Sequence, residues 1–333
     1  MRDRLSAFIA TPARPGSKTG NRVTALRWAK RLRELGWHVQ VGDLWTGERC
    51  DLLIALHARK SHASIVRHAR EQPDRPRIVA LTGTDLYGDI INHDAAATES
   101  LELATRLVVL QPRGIDQLPA HLRGKARVIR QSASAVPPVA TQPGFVAYAL
   151  AHLRDVKDPL LAAHAVALLP QPSAIRVIHL GGAHDETWQT RAIDAERATD
   201  GRWTWLGART REDALGLLAS GRLLVLTSRS EGGANVVTEA IAAGVPVLST
   251  RIDGSLGILG DDYPGYFEVG DAAGLAALLT RCEAEPSFLA ELRTRVAELR
   301  PLVEPARERA SWRELLEELV GTDRDRTHDA PTA

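Results

Sequence analysis

Two doubly wound α/β domains are the fold this sequence predicts, and three observations predict it. Short, nearly continuous apolar runs alternate with helix-period segments along most of the chain. The alternation breaks once, at 132–144 (SASAVPPVATQPG), where proline and small residues read as a linker, and then it restarts. The chain has 333 residues, enough for two sizeable cores. The expected units are 1–138 and 139–304, facing each other across a cleft. A helix over 305–320 and a flexible polar tail over 321–333 follow.

The elements can be justified in order. SAFIATP (6–12) reads as the first strand, and the Gly/Lys loop ARPGSKTGN leads from it into a helix from about Asn21 to Leu35. Val23, Leu26, Ala29, Leu32 and Leu35 share one face of that helix, and Gly36 stops it. HVQVG (38–42), DLLIALH (51–57), RIVALTGT (77–84), RLVVLQ (106–111) and ARVIRQ (126–131) read as further strands, with helical patterns between them. After the linker, strands FVAYALA, IRVIHLGG, WTWLG, RLLVLTS and PVLST alternate with helices over 158–169, 185–198, 210–219 and 234–243. The last part is helical, through LAALLTRCEAE, FLAELRTRVAEL and RERASWRELLEELV.

Composition narrows the function classes. The chain is 44% hydrophobic and 25% charged with net charge +1, which implies no general attraction to nucleic acid or membranes. Its apolar runs are far too short to span a bilayer, and the N-terminal run reads as a strand, not a signal peptide. Cys50 and Cys282 have no partner spacing, so neither a structural disulfide nor a zinc site is expected and a reducing cytoplasm fits. The helix at 21–35 carries Arg22, Arg27, Lys30, Arg31 and Arg33, which keeps a weak membrane contact open. Three of the five lysines, Lys18, Lys60 and Lys157, fall in loops or strand ends where a site belongs.

In open α/β sheets ligands bind outside the carboxyl ends of strands. The most informative strand end is LTSRSEGGANVVTEAIAAGVPVLST (226–250). Gly232 and Gly233 let backbone approach a ligand, and the helix from Ala234 presents free N–H groups and about half a positive charge. That suits a phosphate or diphosphate. Asn235 and Glu239, spaced i and i+4, share a helix face, and Glu239 is poorly placed as a solvated charge in so apolar a helix. A carboxylate there could accept from two vicinal hydroxyls, while Glu231 could accept from a sugar. The competing reading is an ordinary glycine turn with a surface glutamate.

This segment resembles the E-x7-E signature of the family-4 retaining glycosyltransferases, which have the GT-B fold of two Rossmann-like domains. The resemblance implies that Glu231 contacts the donor sugar and that Glu239 holds the ribose of a nucleotide sugar. ALAHLRDVKDP resembles the family's Arg/Lys segment, so Arg154 and Lys157 are expected on the donor diphosphate, although His152 replaces the usual Gly. WLGARTRED fits the strand end whose backbone pairs with the base, near Arg209. In the first half, PGSKTGN resembles the loop that approaches donor phosphate and acceptor, with Gly20 and Asn21 closest and Lys18 available for an anion. ALHARKS offers His57, Arg59 and Lys60 at a strand end, and LTGTD places Thr82 where the family has His, with Asp85 matching. A structural role for His57 is an equal alternative. SWRELLEEL resembles the C-terminal helix that crosses back to brace the first domain. No metal and no other cofactor is expected: the one D-x-D, at 323–325, lies in the tail.

Across nearly its whole length the chain is similar to a narrower group, the selenosugar synthases of selenoneine biosynthesis. That resemblance implies transfer from a UDP-sugar, with UDP-N-acetylglucosamine the expected donor, to selenophosphate. Lys18, Arg59 and Lys60 would then dock the acceptor phosphate. Two rival readings are a glycosyltransferase with a polysaccharide, lipid or small-alcohol acceptor and a non-catalytic nucleotide-sugar sensor. A dinucleotide-dependent oxidoreductase is disfavoured, since HLGGAH lacks the G-x-G-x-x-G spacing.

Overall fold

The computed structural model describes residues 4–17, 19–137 and 140–326. The chain forms two compact units, one of Met1–Gln131 with Pro305–Ala333 and one of Ser132–Glu304.

Unit 1 is a parallel sheet covered on both faces. Its elements are β1 (Ser6–Ala10), α1 (Gly20–Glu34), β2 (His38–Gly42), β3 (Leu52–Leu56), α2 (His62–Glu71), β4 (Arg77–Leu81), α3 (Ala95–Leu103), β5 (Arg106–Val109) and β6 (Ala126–Val128). The strand order is β2-β1-β3-β4-β5-β6. Side chains of successive strand residues point to opposite faces, so each apolar run fills two cores. Phe8, Ala10, Leu53, Ala55, Val79 and Leu81 pack on one face. Ala7, Ile9, Leu52, Ile54, Ile78 and Ala80 pack on the other.

Unit 2 repeats the plan with β7 (Phe145–Leu150), α4 (Leu161–Ala167), β8 (Ile175–Leu180), α5 (Glu186–Ala198), β9 (Trp203–Trp205), α6 (Arg211–Ser220), β10 (Leu223–Leu226), α7 (Asn235–Ala243), β11 (Val247–Thr250), α8 (Asp253–Leu259), β12 (Tyr266–Phe267), α9 (Ala272–Ala284) and α10 (Pro286–Leu299). All pairings are parallel, in the order β12-β11-β10-β7-β8-β9. The central strands β7 and β10 are almost wholly buried.

Helix α11 (Pro305–Arg326) returns to unit 1. Trp312, Leu315, Leu316 and Leu319 join the core on the Ile9 face, and Trp312 meets Trp28 edge-on at 4.9 Å. Glu308 is buried between the helices, accepting from Trp28 Nε1 and Arg27 Nε at 3.0 Å, with Arg31 Nε 3.4 Å away. Arg33 donates to the Val39 carbonyl. Arg27 and Arg31 are therefore drawn inward by Glu308, while Lys30 and Arg33 stay exposed.

Several boundaries differ from expectation. The units divide after Gln131, not after 138, because Ala133 donates its N–H to Val303 and packs in the core of unit 2. The helix expected over 158–169 spans only Leu161–Ala167, since Asp158 adopts φ 43° and Pro159 follows it. Neither α8 nor β12 was expected. Glycines 254 and 257 obscure the helical period of α8, and β12 has two residues. The tail expected from 321 is helical as far as Arg326, and 327–333 lie outside the described residues.

Candidate active site

In unit 2 the strand order reverses between β7 and β10: β7 runs on to β8 on one side, while β10 lies on the other. Loops leaving the carboxyl ends of these neighbours diverge there, which is where an open α/β sheet holds its ligand. The loop after β7 makes a single tight turn at Asp155–Lys157 and then reverses at Asp158. The loop after β10 is bound to it along its backbone. Thr227 Oγ1 donates to the Lys157 carbonyl at 2.8 Å, and the Arg229 N–H donates to the Val156 carbonyl at 2.9 Å. The Arg229 guanidinium pairs with Asp158 at 2.7 Å.

These restraints bring the Lys157 ammonium into an ion pair with Glu231, the two side chains being only 17% and 12% exposed. Glu231 Oε1 also accepts from Ser228 Oγ at 2.7 Å. The backbone of Glu231 is backed by α8. A Cβ at Gly254 would lie 2.1 Å from the Glu231 carbonyl oxygen, so only glycine fits. Thr250 Oγ1 anchors the same loop by donating to the Ser228 carbonyl at 2.6 Å.

Past Gly232 and Gly233, α7 opens at Asn235 with extended Ala234 before it and no side chain capping its first N–H groups. The positive end of the helix thus begins a few residues after Glu231. One turn into α7, on the face of Asn235, Glu239 is buried and paired with Arg211, the first residue of α6.

The other donor-side candidates sit nearby in unit 2 without joining that pair. Arg154 is exposed in extended backbone before the tight turn. Arg209 is exposed after β9, its Nη1 donating to the Ala208 carbonyl at 3.3 Å. Their loops converge on Gly181–Gly182. Gly181 has φ +150°, and a Cβ on it would lie 2.0 Å from the Ala151 carbonyl oxygen. A Cβ on Gly182 would come within 4 Å of both His152 and Ala208.

In unit 1 the candidates gather where β3 and β4 end. His57 is buried in left-handed backbone, φ 75°. Its Nδ1 accepts from the Lys60 N–H at 3.3 Å, which places the ring proton on Nε2, where it donates to Thr84 Oγ1 at 2.9 Å. Burial lowers the imidazole's pKa, against the opposing pull of Asp85, and so favours the neutral ring. Asp85 is fully buried. It accepts from the backbone N–H groups of Thr82, Gly83 and Leu86 on one oxygen and of Ala58 on the other. With both oxygens engaged, Asp85 orders the two loops and is not an open acceptor-side group. Arg59 pairs with Asp89 at 2.8 Å, Thr82 is half-buried, and Lys60 is exposed. Gly20 opens α1 with Asn21 next. Lys18 lies outside the described residues.

Ser228, Gly254, Arg211, Thr84 and Asp89 complete these clusters and were missed in the sequence. Ser228, three residues before Glu231, was within reach of motif reading. Arg211 and Gly254 meet their partners only through the fold. Among the described residues, no group of three or more His, Cys, Asp or Glu is arranged to hold a metal ion, and no helix is long and apolar enough to cross a membrane. Cys50 and Cys282 are buried and free.

Residues 135–299 match the family model of glycosyl transferases group 1. That match spans nearly all of unit 2 and little else. The match contains the Lys157–Glu231 pair and the Arg211–Glu239 pair. A stretch of 89 residues is 36% identical to the lipopolysaccharide core biosynthesis glycosyltransferase LpsE of Rhizobium meliloti (strain 1021). It covers 26% of this chain and about a quarter of that relative's length. Among solved structures, Anabaena HepE in complex with UDP and glucose superposes with TM-score 0.76, 16% identity and coverage of 95% of this chain and 100% of that one. The sucrose-phosphate synthase of Thermosynechococcus elongatus gives 0.76 at 15% identity, over 96% and 100%. At these identities the likeness establishes the fold alone: GT-B, with two parallel-sheet units.

Proposed function

We propose that the chain transfers a sugar from a UDP-sugar, UDP-N-acetylglucosamine the expected one, to selenophosphate. The anomeric C–O bond to UDP breaks, UDP leaves with the electron pair, and a C–Se bond forms. Water then cleaves the Se–P bond, and phosphate departs to leave a selenosugar. The observation that carries the donor half is the meeting of Lys157 and Glu231 at the point where strand order reverses, beside the uncapped start of α7. A cation and a helix N-terminus stabilise a diphosphate that gains charge as it leaves. Arg154 and the loop at Arg209 would complete the diphosphate and base contacts. HepE, whose structures hold UDP and UDP-glucose, supports a uridine nucleotide as the donor's leaving group.

The acceptor half rests on the resemblance to selenosugar synthases. Selenophosphate is anionic and a soft nucleophile, so it needs docking charge more than a strong base. Unit 1 offers Lys60, whereas Arg59 is already held by Asp89; Lys18 is a further cation that only the sequence resemblance implies. The exposed Thr84, whose hydroxyl is oriented by the buried neutral His57, can supply a hydrogen bond to the acceptor, and no acid/base dyad is required.

Mass spectrometry of the purified protein incubated with mixed UDP-sugars and selenophosphate tests the reading. A selenium-isotope product of hexosamine mass is expected. Lys60→Ala should raise the selenophosphate KM about tenfold, as for loss of one charge-assisted contact, and leave UDP affinity unchanged. Equal kinetics in the variant would remove Lys60 from the acceptor site. The LpsE match favours a second reading, an ordinary sugar or lipid-linked acceptor. UDP release from a UDP-sugar with such an acceptor, and no selenium product, would select it.

The two glutamates should separate by kinetic signature. Glu239→Ala is expected to weaken UDP binding about tenfold or more, and Glu231→Ala to slow transfer with little change in UDP affinity. Titration calorimetry with UDP, alongside turnover, distinguishes them. The reverse pattern would exchange their roles.

A further inference from the structure

Asp158 stands where glycine would fit with less strain. Its backbone is left-handed, φ 43°, a region that a side chain disfavours and that glycine enters freely. Its carboxylate reaches across to the loop after β10 and pairs with the Arg229 guanidinium at 2.7 Å. Residue 158 ends the tight turn that carries Lys157, and residue 229 lies just before Glu231. The pair thus ties together the two short segments whose side chains meet as the Lys157–Glu231 ion pair.

Folding stability explains this pair poorly. Arg229 is 55% exposed against 19% for Asp158, and an ion pair open to water adds little to stability. The two segments are also joined without it, through Thr227 Oγ1 to the Lys157 carbonyl and through the Arg229 N–H to the Val156 carbonyl. What the ion pair adds is a hold on the third residue. Val156, Lys157 and Asp158 are then each anchored to the 227–229 segment. A lysine side chain is a long flexible stem, ordered only at an entropic cost. A turn anchored at all three residues gives the ammonium a fixed base from which to meet Glu231.

We propose that Asp158 and Arg229 are positioning residues, a latch that holds the Lys157 turn against the 228–231 loop so that the ammonium is in place before any substrate arrives. Its catalytic consequence rests on the donor reading above. Both residues act through Lys157 and touch no reacting atom. A cation that is already in position needs no reordering as charge develops, so the latch acts on kcat more than on donor affinity. The strained backbone of Asp158 is the local cost of carrying a carboxylate at this point of the turn.

Asp158→Gly tests this, because it cuts the latch and relieves the backbone together. The variant is expected to unfold thermally close to the native temperature. Its kcat for UDP release from UDP-N-acetylglucosamine with selenophosphate should fall about tenfold, as for a misplaced group that is still present, with the donor KM nearly unchanged. Arg229→Ala should show the same loss, and the double variant no more than either. Arg229→Lys keeps the charge and should recover most of the rate. Side-chain NMR of the full chain with isotope-labelled lysine, free of substrate, reads the latch directly. Lys157 should give a restrained signal in the native chain and a motionally averaged one in Asp158→Gly and Arg229→Ala. An unchanged Lys157 signal, additive losses in the double variant, a Tm that falls in step with kcat, or a loss confined to the donor KM would each overturn the proposal. A native chain that binds no UDP in titration calorimetry would instead refute the donor reading, and the NMR contrast would still decide whether the pair holds Lys157.

Discussion

Lys157→Ala is expected to lower kcat by about a hundredfold to a thousandfold, the scale seen when one preorganised group aimed at developing charge is removed. Lys157 sits at the end of a tight turn, its carbonyl held by the Thr227 hydroxyl and its ammonium by Glu231. In the proposed reaction the leaving diphosphate gains negative charge, and a positive group already in position stabilises that change more than it stabilises the ground state. The donor KM should therefore move far less than kcat. Stopped assays with varied UDP-sugar separate the two constants. A pure KM effect would show that Lys157 serves only binding. Lys157→Arg should not restore the rate, because a planar guanidinium does not fill the place of a compact ammonium beside Glu231.

Gly254→Ala should disable the site from behind, with no donor-facing group altered. The new methyl carbon would stand 2.1 Å from the Glu231 carbonyl oxygen, so one of the two backbones must move. Overpacking of this kind costs about 1–3 kcal/mol. Relief by shifting the 228–233 loop would also break the Ser228, Lys157 and Thr250 contacts that orient Glu231. Loss of most turnover is expected with a modest drop in Tm. Circular dichroism melts beside turnover measure both. Full activity with an unchanged Tm would mean that α8 is free to withdraw, and the support argument would fail.

Much of this was legible along the chain. Continuous apolar runs such as LLIAL and LLVL told of strands buried on both faces, and the glycine turn after LLVL gave the start of the apolar helix containing Glu239. The α4 start was misjudged because the apolar period of 158–169 says nothing about a left-handed Asp158. Asp85 read as an acceptor-side residue, yet its oxygens are taken by four backbone N–H groups, a demand that depends on how two loops fold. The basic run on α1 read as a surface, yet Glu308 draws two of its arginines inward from 277 or more residues away.

By itself the sequence determined the doubled α/β plan and the placement of Glu231 and Glu239 on either side of one glycine turn, because local periodicity and glycine placement are written in neighbouring residues. Only the tertiary structure decided which charges meet. Lys157 reaches Glu231, and Arg211 reaches Glu239, because parallel strands carry loops distant in sequence to one end of a sheet. A carboxylate's partner is set by that three-dimensional closure, and no pattern within either segment encodes it.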